Sequence, residues 1–364
     1  DNGKAMGEGV RICHIDTGWS QHDDLDRERL DLSSDYDLLE GDENAQDPLD
    51  YDGHLGHGTS TGSVIASSGG IDESGNTLPP GKITGVAPRA TLVPIRSIKS
   101  VIRFLDSDVA RAVRRSVAAQ CDVISMSLGG RAFFGLERAL MDAVRNDVIP
   151  IAAAGNCVGF VVAPAMYDAT IAVAATNIDD EPWRGSSRGR TVDISAPGES
   201  VHVAWKTSPD DPLSGTRQRD GTSYATAMTA GAAALWIAHH GEQSIREAQG
   251  GGTRKDLFLR HLQQTSRQPD GWEVDRFGSG ILDVGALLAQ PLDSTGVAAR
   301  SPRMRTPQLE LLSRLTGRDS NELRPLLEEL LGDTDLEATL RRFGPELAYV
   351  AASEPEAMNR ALDN

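Results

Sequence analysis

The chain has 364 residues, 39% of them hydrophobic and 24% charged, enough to bury one large core with a smaller unit beside it, or two comparable domains. No run approaches the roughly 20 apolar residues that cross a bilayer as a helix, so no membrane span is expected. The balance of 36 basic against 53 acidic residues, net −17, excludes nucleic acid as a partner held by a basic face.

The acidity is local. Residues 23–52 carry thirteen acidic and two basic side chains, and residues 301–364 carry twelve and eight, which leaves the remainder close to neutral. A solvated loop is the expectation for the first block.

From Val10 onward, short apolar runs alternate with amphipathic stretches, the pattern of repeated βα units around a mainly parallel sheet. A strand is predicted over 11–15, ending at Asp16, and a second over 90–95. Residues 107–119 follow as a helix with Ser107 at its cap. Strand 122–128, helix 135–146, strand 148–154 and strand 170–175 continue a βαβαβ succession. From Ser223 to Trp236 the residues turn small, which suits a helix packed closely on its neighbours. Residues 241–256 are polar, contain Gly250-Gly251-Gly252, and read as a surface connection before an amphipathic stretch from about Lys255.

The segment from Gly278 to Asp283 closes a large domain, 1–290. Pro291, Pro302 and Pro307 mark a linker, placed at 291–305. Over 306–364 two leucine sets have helical spacing: Leu309, Leu312 and Leu315, then Leu323, Leu326, Leu327, Leu330 and Leu331. Thr334 and Glu337 form a capping box, and Gly317, Gly332 and Gly344 stand where helices stop. Three or four short helices are predicted, as a small domain or an appendage.

Three cysteines, Cys13, Cys121 and Cys157, cannot all pair and match no zinc or disulfide spacing. Buried free thiols are the expectation, with Cys157 a pocket-wall thiol. The chain begins at Asp1 without an initiator Met, so the natural N-terminus is expected upstream.

Three segments place a reactive side chain among small residues at the end of an apolar run: Ile15-Asp16-Thr17-Gly18, Gly56-His57-Gly58-Thr59-Ser60, and Gly221-Thr222-Ser223-Tyr224-Ala225. Acyl transfer needs an oxygen nucleophile, an imidazole to take its proton, and a carboxylate to fix and stabilise the imidazole. Ser223, His57 and Asp16 supply one of each. Asn156, after the run Ala152-Ala153-Ala154-Gly155, offers an amide that donates to a developing oxyanion together with the Ser223 N–H.

In the order Asp, His, Ser, and with IDTG, GHGTS, GVAP at 85–88, SMSLGG at 125–130, AAAGN, SAPG at 195–198 and GTSYA in succession, the chain resembles the subtilisin-like serine proteases over roughly residues 8–290. The resemblance implies an α/β fold. It is a subtilisin-like three-layer sandwich with a mainly parallel seven-stranded sheet, here with a small C-terminal all-helical region added. It implies endopeptidase activity on a peptide or protein substrate with no cofactor required for the chemistry. Ser127, Leu128, Gly129 and Gly130 would form one backbone edge for an extended substrate, and Ala153, Ala154 and Gly155 would line the first specificity pocket. The apolar loop from Cys157 to Ala163 suggests a hydrophobic side chain before the cut bond.

Asp24, in HDDL, matches a position that binds structural calcium in many family members, where a loop after the catalytic His completes the site; here that loop is 70–76. For Asp42 to Asp52 a solvated loop is favoured over a metal site. The chain departs from the family's pattern at Ala227, where Pro is usual, at Met228, at Asp23, and at Ser60-Thr61-Gly62-Ser63, which replaces the usual His-Val-Ala-Gly. None of these is one of the reacting groups.

An amine acceptor in place of water would make the same acyl-enzyme a processing protease or peptide ligase. A partner-binding pseudoprotease is the non-enzyme alternative, against which the complete set of groups argues. The resemblance further implies an inhibitory propeptide and secretion. Three unpaired thiols point instead toward a reducing, cytoplasmic compartment; secretion is the expectation carried forward.

Overall fold

A computed structural model of the protein describes residues 5–25, 27–51, 54–69, 83–103, 107–130, 134–292 and 307–331, and positions 336, 340, 351, 358, 359 and 362. The strands are β1 (Arg11–Asp16), β2 (Tyr36–Asp37), β3 (Thr91–Arg96), β4 (Ile102–Arg103), β5 (Val123–Met126), β6 (Gly129–Gly130), β7 (Ile149–Ala153), β8 (Ile171–Thr176), β9 (Ile194–Pro197), β10 (Val201–Ala204) and β11 (Thr216–Arg219). The helices are α1 (His57–Ala66), α2 (Ser107–Ala118), α3 (Phe134–Arg145), α4 (Thr222–His240), α5 (Glu242–Ala248), α6 (Arg254–Thr265), α7 (Val274–Phe277), α8 (Val284–Ala289), α9 (Pro307–Thr316) and α10 (Ser320–Leu331).

Seven strands form one sheet in the order β2-β3-β1-β5-β7-β8-β9, and every neighbouring pair is parallel. Both faces of such a sheet are covered, so its strands are mostly apolar on both faces and not alternating. The period of two then divides the residues between two layers. Ile12, Leu92, Val123, Ile149, Ile151, Ile171 and Val173 join the cluster that contains α1, α4, α6 and α8 residues. Cys13, Ile15, Val93, Ile95, Ile124 and Met126 face the cluster built with α2 and α3. The α/β sandwich expected from the sequence is present.

Helix α4 has no polar face because it runs through the middle of one layer, with Trp236 fully buried. Its small residues permit close approach: a Cβ on Gly231 would lie 2.6 Å from the Val86 Cβ. Two helices begin with a side-chain cap from the preceding residue. Thr253 accepts from the Asp256 N–H at the start of α6, and Asp283 accepts from the Ala286 N–H at the start of α8. The starts of α1 and α4 follow Gly56 and Gly221, which have no side chain to cap with, and their first-turn N–H groups are met instead by Thr17 Oγ1 and Asn156 Oδ1. These two helix starts lie at the carboxyl edge of the sheet. There the chain leaves β1 toward β3 on one side and later returns to β5 on the other, the crevice where open α/β sheets bind ligands.

Several expectations need correction. Cys13 and Cys121 are not free thiols: they form a disulfide across a sequence separation of 108, with Cα atoms 5.7 Å apart. Cys13 lies in β1 and Cys121 just before its neighbour β5, a juxtaposition created by strand pairing with no local signature. Cys157 is free and exposed. The polar stretch 241–256 is more than a connection, because it holds α5 and the start of α6, and Ile245, Ala248, Arg254 and Lys255 are buried. Strand β9 and the β10–β11 hairpin were not anticipated.

The acidic block is also not uniformly solvated. Asp35 and Asp37 are buried, with Asp37 paired to Arg96, while Asp42, Glu43 and Asp50 are exposed. Helices α9 and α10 match the leucine spacing, and Leu309, Leu312, Leu323 and Leu327 are buried together. The linker from 293 onward and the capping box at Thr334 and Glu337 lie outside the described residues.

Candidate active site

Asp16 ends β1 and is fully buried. Its Oδ1 accepts from His57 Nδ1 at 2.8 Å and from the Thr17 N–H at 2.7 Å, and its Oδ2 accepts from the Thr61 hydroxyl at 3.2 Å. Burial by itself would raise this carboxyl. The charge and hydrogen bond of His57, then His14 and the Thr17 N–H, outweigh burial and hold it below the usual carboxylate range.

His57 opens α1. Its position is fixed by two close backbone approaches: a Cβ on Gly58 would lie 2.0 Å from the Gly18 carbonyl oxygen, and one on Gly56, at φ +64, 1.7 Å from that of Lys206. The Gly58 N–H donates to Thr17 Oγ1 (3.1 Å). Thr17 Oγ1 donates to Asp47 Oδ2 (2.7 Å), which also accepts from the Gly56 N–H (3.2 Å). Asp47, from the acidic block, thus ties the end of β1 to the start of α1. Burial pushes its carboxyl up, beyond what the bonds from Leu49, Thr17 and Gly56 offset. The His54 ring stands edge-on to His57 at 6.2 Å between centroids; burial first, then the His57 charge, lowers His54.

Ser223 lies in the first turn of α4, buried, on the helix that packs against α1, and the adjacent Tyr224 ring is 6.3 Å from the His57 ring. The Ser223 hydroxyl donates to the Ser127 carbonyl at 3.4 Å, and the Ser127 hydroxyl donates back to the Ser223 carbonyl at 2.9 Å. Asn156 follows the end of β7. Its Oδ1 accepts from the Thr222 N–H (3.0 Å) and hydroxyl (2.8 Å). An amide N–H can only donate, so this bond fixes the orientation of the side chain and leaves Nδ2, beside Gly221, as a donor without an acceptor among the described residues.

Ser127 and Leu128 are buried after β5. The Gly129 and Gly130 N–H groups are already engaged, by the Val101 and Ala163 carbonyls, each at 2.9 Å, with β6 paired to β4. A substrate strand would have to displace Val101 to use Gly129. Ala153 and Ala154 are buried, and Gly155, at φ +113, packs against Ser187 and Val162. Asp24 is buried apart from these groups, with Oδ1 accepting from the Ile83 N–H at 3.0 Å. Among the described residues no group of three or more His, Cys, Asp or Glu is placed to hold a metal. The loop 70–76 expected to complete a calcium site lies outside the described residues.

A model of the subtilase family matches residues 7–280. The chain belongs to the subtilase family. It is 33% identical over 247 residues to the extracellular serine proteinase of Thermus sp., an alignment covering 64% of this chain and 52% of that protein. It is 30% identical over 308 residues to the intracellular serine protease of Paenibacillus polymyxa, covering 81% and 86% respectively. Among solved structures, proteases from Pseudoalteromonas arctica superpose with a TM-score of 0.63 at 25% identity, covering 79% of this chain and 91% of that one. The chain spans about half the length of the Thermus relative. Subtilase relatives therefore include proteins named for both sides of the membrane, and no helix among the described residues of this subtilase is long and apolar enough to cross one.

Sequence reasoning brought forward Asp16, His57, Ser223 and Asn156, but not the groups around them. Thr17, Thr61, His14, His54 and Asp47 all lie within the same few turns of structure. Only the departure at Thr61 from the family's usual Val carried a signal, because a hydroxyl in that buried helix needs a partner.

Proposed function

We propose that this subtilase is a serine endopeptidase working through a covalent acyl-enzyme. In this reading Ser223 attacks the peptide carbonyl, and His57 takes its proton and returns it to the leaving amine. Asp16 holds the His57 ring and stabilises its charge, and Asn156 Nδ2 with the Ser223 N–H receives the oxyanion. The carrying observation is the buried Asp16–His57 pair beside the start of α4, where the Tyr224 ring is 6.3 Å from that of His57, with the Asn156 amide oriented by Thr222 so that Nδ2 faces away from that bond. Attack requires the Ser223 hydroxyl to turn from Ser127 toward His57, a tightening common when substrate binds.

Ser127, Leu128 and, once the Val101 and Ala163 carbonyls are displaced, Gly129 and Gly130 receive the substrate backbone. Ala153, Ala154 and Gly155 with the loop at Val158, Val161 and Val162 favour an apolar side chain before the cut bond. The 1–290 segment is the catalytic domain, 291–305 the linker and 306–364 a helical unit. The disulfide favours an oxidising compartment and hence secretion, with an inhibitory propeptide as the partner before activation. A calcium ion at Asp24 would draw its remaining oxygens from 70–76; if it binds, a chelator lowers the melting temperature.

The test is labelling by a fluorophosphonate probe. Wild type should label at one site and Ser223→Ala should not. A folded wild-type protein that fails to label refutes the proposal.

A further inference from the structure

Beyond the four groups assigned above, the buried side of Asp16 carries a second imidazole. His14 sits two residues earlier in β1, is buried, and places Nε2 2.9 Å from Thr61 Oγ1 and 3.7 Å from Asp16 Oδ2. Thr61 Oγ1 lies 3.2 Å from Asp16 Oδ2, and also 3.1 Å from the His57 carbonyl one turn back. Its single proton goes to the strongest acceptor, the carboxylate, so its lone pair is left to accept from His14 Nε2–H. That tautomer leaves His14 Nδ1 as an acceptor.

We infer that His14 and Thr61 form a positioning relay, His14 Nε2–H to Thr61 Oγ1–H to Asp16 Oδ2, that clamps the carboxylate from the side opposite His57. The inference rests on the proposed roles of Asp16 and His57. Oδ1 is saturated by His57 and the Thr17 N–H, whereas Oδ2 has Thr61 as its hydrogen-bond donor. Without that donor a fully buried oxygen is left bare, and the carboxylate is free to turn about the bond that aims Oδ1 at His57. Thr61 is placed for this because it lies one turn after His57 on α1, on the face turned toward β1. No proton leaves His14; it orients Thr61, and Thr61 orients Asp16.

Turnover of a peptide substrate, normalised to fluorophosphonate-labelled sites, tests the relay. Thr61→Val keeps the shape and removes the hydroxyl, and should lower kcat about 10-fold with KM within about twofold, the size of one hydrogen bond to a charged group. Thr61→Ser should recover most of that loss. His14→Leu should lower kcat in the same way and His14→Gln, which keeps a donor at the same reach, should recover it. Because His14 acts through Thr61, the double variant should be no slower than Thr61→Val alone.

Unchanged kcat per labelled site in Thr61→Val, or losses that add in the double variant, would overturn the relay while leaving the protease reading intact. If wild type does not label, the protease reading fails instead. The relay is then read from the downfield proton resonance of the His57–Asp16 hydrogen bond, which should shift in both Thr61→Val and His14→Leu; an unmoved resonance overturns it.

Discussion

Acidification should destabilise this protein through His240, at the end of α4. Its ring packs against Trp236, His239 and His261 at centroid distances of 5.5, 4.8 and 6.2 Å, and its Nε2 has no hydrogen-bond partner among the described residues. Burial first, then the His239 and His261 imidazoles, push its pKa from 6.5 down to about 4. Between those values the unfolded chain binds a proton that the folded chain does not. The stability is therefore complete above pH 6.5 and is lost as pH falls toward 4. At pH 5 the full shift corresponds to about 2 kcal/mol, and allowing for screening at a partly exposed ring leaves roughly 1–2 kcal/mol.

Urea unfolding at pH 7, 6 and 5, in a Ser223→Ala background to prevent self-digestion, measures the difference. Wild-type His240 should lose roughly 1–2 kcal/mol more between pH 7 and pH 5 than His240→Gln. Burial lowers His14 as well, but that residue is present in both chains and cancels. Parallel losses in the two chains would refute the reasoning.

Two further outcomes concern the site and the disulfide. Asn156→Ala should lower kcat by about 100- to 1,000-fold with little change in KM. That range is the loss seen when an oxyanion donor is removed from subtilisin. A loss confined to KM would instead make Asn156 a ground-state contact. Thiol titration of the denatured, unreduced protein should find one reactive group, Cys157, with Cys13 and Cys121 joined; three reactive groups would remove the disulfide and with it the support for an oxidising compartment.

Much of the fold was legible because its signals are local. The strands predicted over 11–15, 122–128 and 148–154 correspond to β1, β5 and β7, and the small-residue stretch from Ser223 marks α4. The candidate site was legible for the same reason: a glycine stands within two residues of each of Asp16, His57, Asn156 and Ser223, and the close approaches at Gly56 and Gly58 explain why no larger residue stands there. Strand β9 and the β10–β11 hairpin were harder, since four-residue segments such as the wholly polar Thr216–Arg219 carry no apolar period.

By itself, the order of residues determined a parallel α/β sheet, the membership in the subtilase family and the chemical groups offered for acyl transfer. Tertiary structure alone decided which other side chains meet those groups. Thr17 and Asp47 are 30 positions apart, His14 and Thr61 47, and Cys13 and Cys121 108. Parallel strands are joined by long crossovers, so residues that become neighbours behind the carboxyl edge of the sheet leave no spacing in the chain. The acidic block shows the consequence: composition makes all of it look solvated, and only packing separates the buried Asp37 and the bridging Asp47 from the exposed Asp42 and Asp50.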